Sequence, residues 1–240
     1  MNPWFIWKGK NSLADFGLWI NKLPRRVRAE ERHEEIEIPG RAGSLLMLEG
    51  EDVYSSYTAE MTVIARNTIN IDRIIEWLRG SSDLILSTDI NKARSARIVG
   101  EVAFERVGNN LQQAVIPFLF QPFRKSVMPD KDHFQITQSG TIRNPGDVRS
   151  FPKMTINAIG SNQVMSLSLN DSVFTVDFTS MADTGCVVDS ETEMVLNYAG
   201  FAELTSKSDG EFPYFNPGDN TLTLISGITS IDVDPNWRWL

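Results

Sequence analysis

The residues best suited to acid–base or metal chemistry in this 240-residue chain are its two histidines, His33 and His133, and neither stands in a ligand spacing. His33 is followed by Glu34 and Glu35. A zinc-binding H-E-x-x-H helix needs a second imidazole four residues on, and Glu37 occupies that position. Asp72 and Glu76 lie one helical turn apart, which could pair a general acid with a base. In a chain with 31 carboxylates, a solvated helix surface is the plainer reading of that pair. Cys186 is the sole cysteine, so no internal disulfide or thiolate cluster can form; beside Val187 and Val188 it reads as a small buried hydrophobe. The chain has no G-x-S-x-G elbow, no phosphate-binding G-x-x-x-x-G-K-[ST] loop and no G-x-G-x-x-G turn. Asn170-Asp171-Ser172 matches a glycosylation acceptor, a pattern frequent by chance and relevant only in a secretory pathway. No catalytic, cofactor-binding or metal-ligating residue is therefore assigned, and binding or assembly is expected rather than an enzyme.

Composition narrows the class further. Hydrophobic residues at 41% and charged residues at 22% suit a folded chain rather than a disordered one. No apolar run approaches the ~20 residues of a spanning helix, so no membrane insertion is expected. The opening MNPWFIWKGKNSLADF is too short and polar for a signal peptide, so synthesis in a cytoplasm is expected. The net charge of −8 argues against gripping nucleic acid through its phosphates, while permitting DNA to pass without sticking.

The elements that would position any site divide at the stretch from Ser139 to Ile156. Asn144-Pro145-Gly146 signals a turn, Pro152 opens a run in which Met154 and Ile156 alternate, and a second turn, Asn216-Pro217-Gly218, lies near the far end. Before this stretch, Trp4 to Trp7 reads as an aromatic strand that plugs a core, and Tyr57 to Ala65 alternates as a half-exposed strand broken on its polar face by Ile64. One helix is predicted, capped by Asn70, ended by Gly80, and carrying an apolar stripe of Ile71, Ile74, Ile75 and Leu78. Further strands are read at Leu84–Leu86, Arg97–Phe104 and Leu111–Phe120. Gln121-Pro122-Phe123 closes the domain, since Pro cannot continue a paired central strand, and residues 124–135 serve as linker. Beyond it, Met165/Leu167/Leu169, Phe174/Val176/Phe178, Leu222/Leu224 and Ile231/Val233 alternate with period two, as in an antiparallel β-sandwich. The expected domains are thus 1–130, mostly β with one packed helix, and 131–240, all β.

Residues Arg25 to Glu37 hold four arginines and five glutamates before the turn Pro39-Gly40-Arg41-Ala42-Gly43. A solvated face is the bland reading of such a charge run. The functional one is an extended polar arm that pairs with a neighbouring subunit, with Arg25, Arg28, Glu31, Arg32, Glu34 and Glu37 at the interface; mixed signs suit a wet protein–protein contact.

Several segments, in order, resemble the distal tail proteins of long, non-contractile-tailed bacteriophages: FIWKGKNSLADFGLWI, IPGRAGSLL from Ile38 to Leu46, IDRIIEWLRG, FLFQPF, IRNPGDVRSFPKMTI, CVVDSETEMV and FPYFNPGDNTLTL. The resemblance implies a β-barrel-like amino-terminal domain with one flanking α-helix, and a carboxy-terminal galectin-like antiparallel β-sandwich. It also implies a homo-hexameric ring in the virion at the tail tip, joining the tail tube protein to the tail-associated tip protein and a receptor-binding protein while DNA passes through. Some members carry a carbohydrate-binding insertion in the second domain; no segment of that size interrupts residues 136–240, so the plain form is expected. The family has no catalytic motif to transfer, and no cofactor is implied. The alternative is a lectin-like carbohydrate-binding sandwich in which Trp237 or Trp239 stacks on a sugar ring. A glycoside hydrolase would rest on abundant carboxylates alone.

Overall fold

The computed structural model describes residues 2–48, 50, 52–66, 70–128, 132–158, 163–179 and 184–240, and it is mainly β. It falls into two compact units, Met1–Val127 with Leu240, and Met128–Trp239, each with its own apolar core.

The first unit opens with β1 (Phe5–Trp7), β2 (Lys10–Asn11), α1 (Ser12–Phe16) and β3 (Trp19–Lys22). The strands β4 (His33–Glu37) and β5 (Ser44–Leu48) come next, then β6 (Tyr57–Arg66), α2 (Ile71–Trp77), β7 (Ser81–Leu86), β8 (Asp89–Ile98), β9 (Phe104–Arg106) and β10 (Leu111–Ser126). A curled antiparallel sheet runs in the order β2-β1-β7-β8-β10-β6-β3, with β9 added along β10. Alternation in β6 turns Ala59, Met61, Val63 and Ala65 into the core, and Phe5 and Trp7 are fully buried there, so the opening aromatics fill the interior.

Four local readings need correction. Two helices flank the sheet rather than one: α1 is a single turn nucleated by Asn11, whose side-chain oxygen accepts from the N–H groups of Leu13 and Ala14, and it is closed by Gly17 at φ 60°. Such a short element has no apolar period to betray it. The second helix is capped by Asn70 as expected but stops at Trp77, short of Gly80. Its buried face is Ile74, Trp77 and Leu78; Ile75 is only half-buried, because the Trp77 indole takes the central place. That indole stacks on Phe16 and Phe5, with centroids 4.2 and 5.5 Å away, and donates to the Trp7 carbonyl at 3.0 Å. The strand expected at Arg97–Phe104 lies instead at Asp89–Ile98, a stretch too polar to show alternation.

The fourth correction concerns β10, which does not close at Pro122 but continues to Ser126. Its register against β8 shifts between Phe120 and Arg124, and Pro122 sits inside that irregularity, where a missing N–H costs no ladder bond. The stretch 124–135 is therefore strand at both ends, with β11 (Phe134–Ile136) opening the second unit.

The second unit continues with β12 (Gly140–Asn144), β13 (Lys153–Ala158), β14 (Val164–Leu169), β15 (Ser172–Asp177), β16 (Gly185–Asp189), β17 (Met194–Asn197), β18 (Ser208–Gly210), β19 (Gly218–Ser226) and β20 (Ile228–Asp234). Two five-stranded antiparallel sheets form, β11-β20-β13-β16-β17 and β12-β19-β14-β15-β18. Met154, Val188 and Val233 of one and Leu167, Phe174 and Leu222 of the other share one core, which makes the unit a β-sandwich. Cys186 is buried in it, and burial pushes its thiol pKa up to about 12.

Both Asn-Pro-Gly turns are fixed by buried asparagines. Asn144 donates to the carbonyls of Val148 and Phe215 and accepts from Gly146 N–H. Asn220 donates to the carbonyls of Asn216 and Gly218 and accepts from Asn216 N–H. Gly218 has φ 87°, as a turn glycine should, but Gly146 is needed for another reason: a Cβ there would lie 2.2 Å from the Arg238 carbonyl oxygen.

Candidate subunit interface

The charged run leads into a ribbon of β4 and β5 that belongs to none of the three larger sheets. Its register pairs His33 with Leu48, Glu35 with Leu46 and Glu37 with Ser44 on one face, and Glu34 with Met47 and Ile36 with Leu45 on the other. The ladder is extended at its base by Arg32 N–H to the Val53 carbonyl and Ser55 N–H to the Glu30 carbonyl, 2.9 and 2.8 Å long. Among the described residues no helix or second sheet lies over it, and residues on both faces are exposed. Leu46 and Leu48 are 61% and 59% exposed, Leu45 and Met47 44% and 48%. A two-stranded ribbon is marginal in water by itself, and four consecutive exposed apolar residues are an unfavourable surface.

The residues expected at an interface are not gathered at one point. Arg25 is exposed ahead of the ribbon; Arg28 pairs with Glu31 at 3.2 Å near its base; Arg32 lies in the basal ladder; Glu34 and Glu37 are exposed on opposite faces of β4. Tyr54, bridged to Glu31, packs edge-on against Phe123, and its hydroxyl pKa is raised by burial and then by the charges of Glu31 and Asp52. Both ends of the Arg28–Glu31 pair face water, so its contribution to stability is small.

Sequence reasoning found the charges of the arm and missed its apolar half. The sequence shows the apolar run Leu45-Leu46-Met47-Leu48 directly after the Gly43 turn, but that it lies opposite the charged strand is seen only in the pairing.

In the second unit, Trp237 is 5% exposed and packed against Phe215, with centroids 5.4 Å apart, so little of its ring is left for a sugar to stack on. Trp239 donates its indole N–H to the Pro145 carbonyl at 3.1 Å. An open depression of about 350 Å³ near Trp237 is lined in part by Asp132, Phe134 and Arg143. Among the described residues, no three His, Cys, Asp or Glu groups gather as a metal ion would require.

No family model and no curated protein sequence matches the chain. Among solved structures, the Dit protein of phage SPP1, a paradigm of the hub adsorption apparatus in phages that infect Gram-positive bacteria, matches over 100% of both chains with a TM-score of 0.75 at 13% identity. The baseplate of phage p2, in its activated conformation with Sr, matches over 97% of this chain and 96% of that one, with a TM-score of 0.46 at 8% identity. Only the first is near enough for its fold to be compared, and there the likeness takes in both the curled sheet and the sandwich. From end to end, the chain has the fold of the SPP1 Dit protein.

Proposed function

We propose that this chain is a structural protein of a phage tail tip, and that six copies close into a ring which joins the tail tube to the baseplate and its host-recognition proteins. The observation that carries the reading is the whole-length likeness to a hub protein of a phage adsorption apparatus. The exposed arm gives the ring a physical means of closure. Identical subunits related by one rotation close through a head-to-tail contact, in which a protruding element of each copy meets a different surface of the next. In this reading Arg25, Arg28, Glu31, Arg32, Glu34 and Glu37 form the polar rim of that contact, and the leucines of β5 its apolar centre.

The acidic balance shapes what the ring does with DNA. Six chains at −8 sum to −48, so a duplex in the channel meets like charge unless most of it is turned outward, and counterions and water rather than Lys/Arg contacts line its path. DNA then passes without being held. Electron microscopy of the purified chain, alone or with a tail-tip partner, should show rings, and a gel shift with duplex DNA at ~0.1 M salt should show no complex. A chain that stays monomeric in both settings and binds DNA in a salt-sensitive way would refute the proposal.

A further inference from the structure

The two flanks of the sandwich differ, and each carries a feature that the core does not account for. In the sheet β11-β20-β13-β16-β17, β17 forms one edge and β11 the other, about 19 Å apart at the usual spacing of strands. Beyond β17 the chain turns back in a tight hairpin, with Leu196 bridged to Glu203. Asn197 locks its tip. The Asn197 side-chain oxygen accepts from the N–H groups of Phe201 and Ala202 at 3.0 and 3.1 Å, its carbonyl accepts from Gly200 N–H at 2.8 Å, and Gly200 takes φ 77°. On this tip stand Tyr198, 54% exposed, and Phe201, 91% exposed, the most exposed large apolar side chain among the described residues. The bonds that fix the tip also keep the Phe201 ring out in water, which is unfavourable for the free chain and pre-organises the ring as an anchor for another surface.

The opposite flank holds the open depression of about 350 Å³, between the edge strands of the two sheets. Phe134 comes to it from β11, Ile142 and Arg143 come from β12, and Pro145 and Trp237 add to its apolar lining. Its second charged group is Asp132. We propose that the Phe201 tip of one copy docks in this depression of another. The depression has room for an aromatic ring and offers it apolar walls. Charge agrees with shape: Glu203 is exposed two residues beyond Phe201, and the guanidinium of Arg143 is exposed beside the depression. Asp132 repels Glu203, so the tip enters with Glu203 towards Arg143. Because tip and depression lie at opposite edges of one sheet, each copy offers one of each to its two neighbours, as a head-to-tail series of identical copies requires. The docking goes beyond the ring reading, which closes through the arm of the first unit, by giving the second units a contact of their own.

The test places the photo-cross-linker p-benzoylphenylalanine at position 201 and irradiates a mixture of ¹⁵N-labelled and unlabelled full-length chains at high concentration, so that mass spectrometry separates adducts between copies from those within one. Adducts to residues 132–145 or to Trp237 of another copy are expected. Adducts to a different surface of another copy, or none between copies, would overturn the docking. Rings seen by electron microscopy alongside either of those results would leave the arm-closed ring standing and remove this contact alone. In sedimentation, F201A should weaken self-association about tenfold with an unchanged Tm, since the ring fills no space in the core; undiminished association would overturn the docking. R143E and E203K should each weaken it about fivefold, and R143E/E203K should regain the parent's affinity. Losses that add in full would show that the two charges act at separate places.

Discussion

Replacing Ile74 by Ala tests whether α2 holds the first core as described. Ile74 is fully buried and flanked on the helix by Trp77 and Leu78. The substitution removes three carbons, worth about 2.4 kcal/mol at ~0.8 kcal/mol each, and the space left between helix and sheet raises the total to about 3–4 kcal/mol. Ile75, one position on but half-buried at the edge of the stripe, should lose about 1 kcal/mol or less as Ala. Urea unfolding followed by tryptophan fluorescence reads the contrast, because Trp4, Trp7, Trp19 and Trp77 report on the first unit and only Trp237 and Trp239 on the second. With a slope of ~1–3 kcal/mol/M, the Ile74→Ala midpoint should fall by roughly 1–4 M. An Ile74→Ala protein that melts within about 0.5 kcal/mol of the parent, or an Ile75→Ala protein that loses as much, would show that the helix packs by another face.

Gly146→Ala should destabilise the sandwich by about 1–3 kcal/mol in thermal unfolding, since the added Cβ meets the Arg238 carbonyl at 2.2 Å; an unchanged Tm would show that this approach relaxes freely. Cys186 titrates at about 12 in the fold against ~8.5 in the unfolded chain, so folding favours the thiol. Its contribution is present in full below pH ~8.5 and is lost as pH rises towards 12, which Cys186→Ala should abolish in a comparison of pH–stability profiles. Limited proteolysis should divide the chain between Ser126 and Phe134 into two resistant pieces, each with its own core; early cuts within β6 or β14 instead would place the boundary elsewhere.

What the sequence disclosed follows the physics of each element. Strands with one wet face, such as β6 or β14 to β15, announce themselves by alternation, and α2 by its cap and stripe. Elements that depend on distant partners do not. β8 has small and polar residues because its neighbours β7 and β10 dictate its place, and β10 runs through two prolines because one falls at a register shift. In the candidate site, the charges of β4 were legible as a solvent-facing run. That Leu45 to Leu48 oppose them in an uncovered ribbon depends on pairing, which no local pattern encodes.

The long strand β10 also sets the order in which the first unit can become stable. It pairs with β6 and β8 and carries β9, and its partners lie far back along the chain: Tyr57 waits for Phe120, and Arg66 for Leu111. During synthesis, the earlier strands leave the ribosome before the segment that joins them into one sheet, and pairings of such long sequence separation form slowly. Until Ser126 has emerged, Met61 and Val63 lack their cover while the leucines of the arm are already out. The nascent chain therefore passes through an interval of high aggregation risk, ended by the arrival of one strand, and a translational pause just downstream of β10 should raise the yield of soluble protein more than the same pause placed after β6.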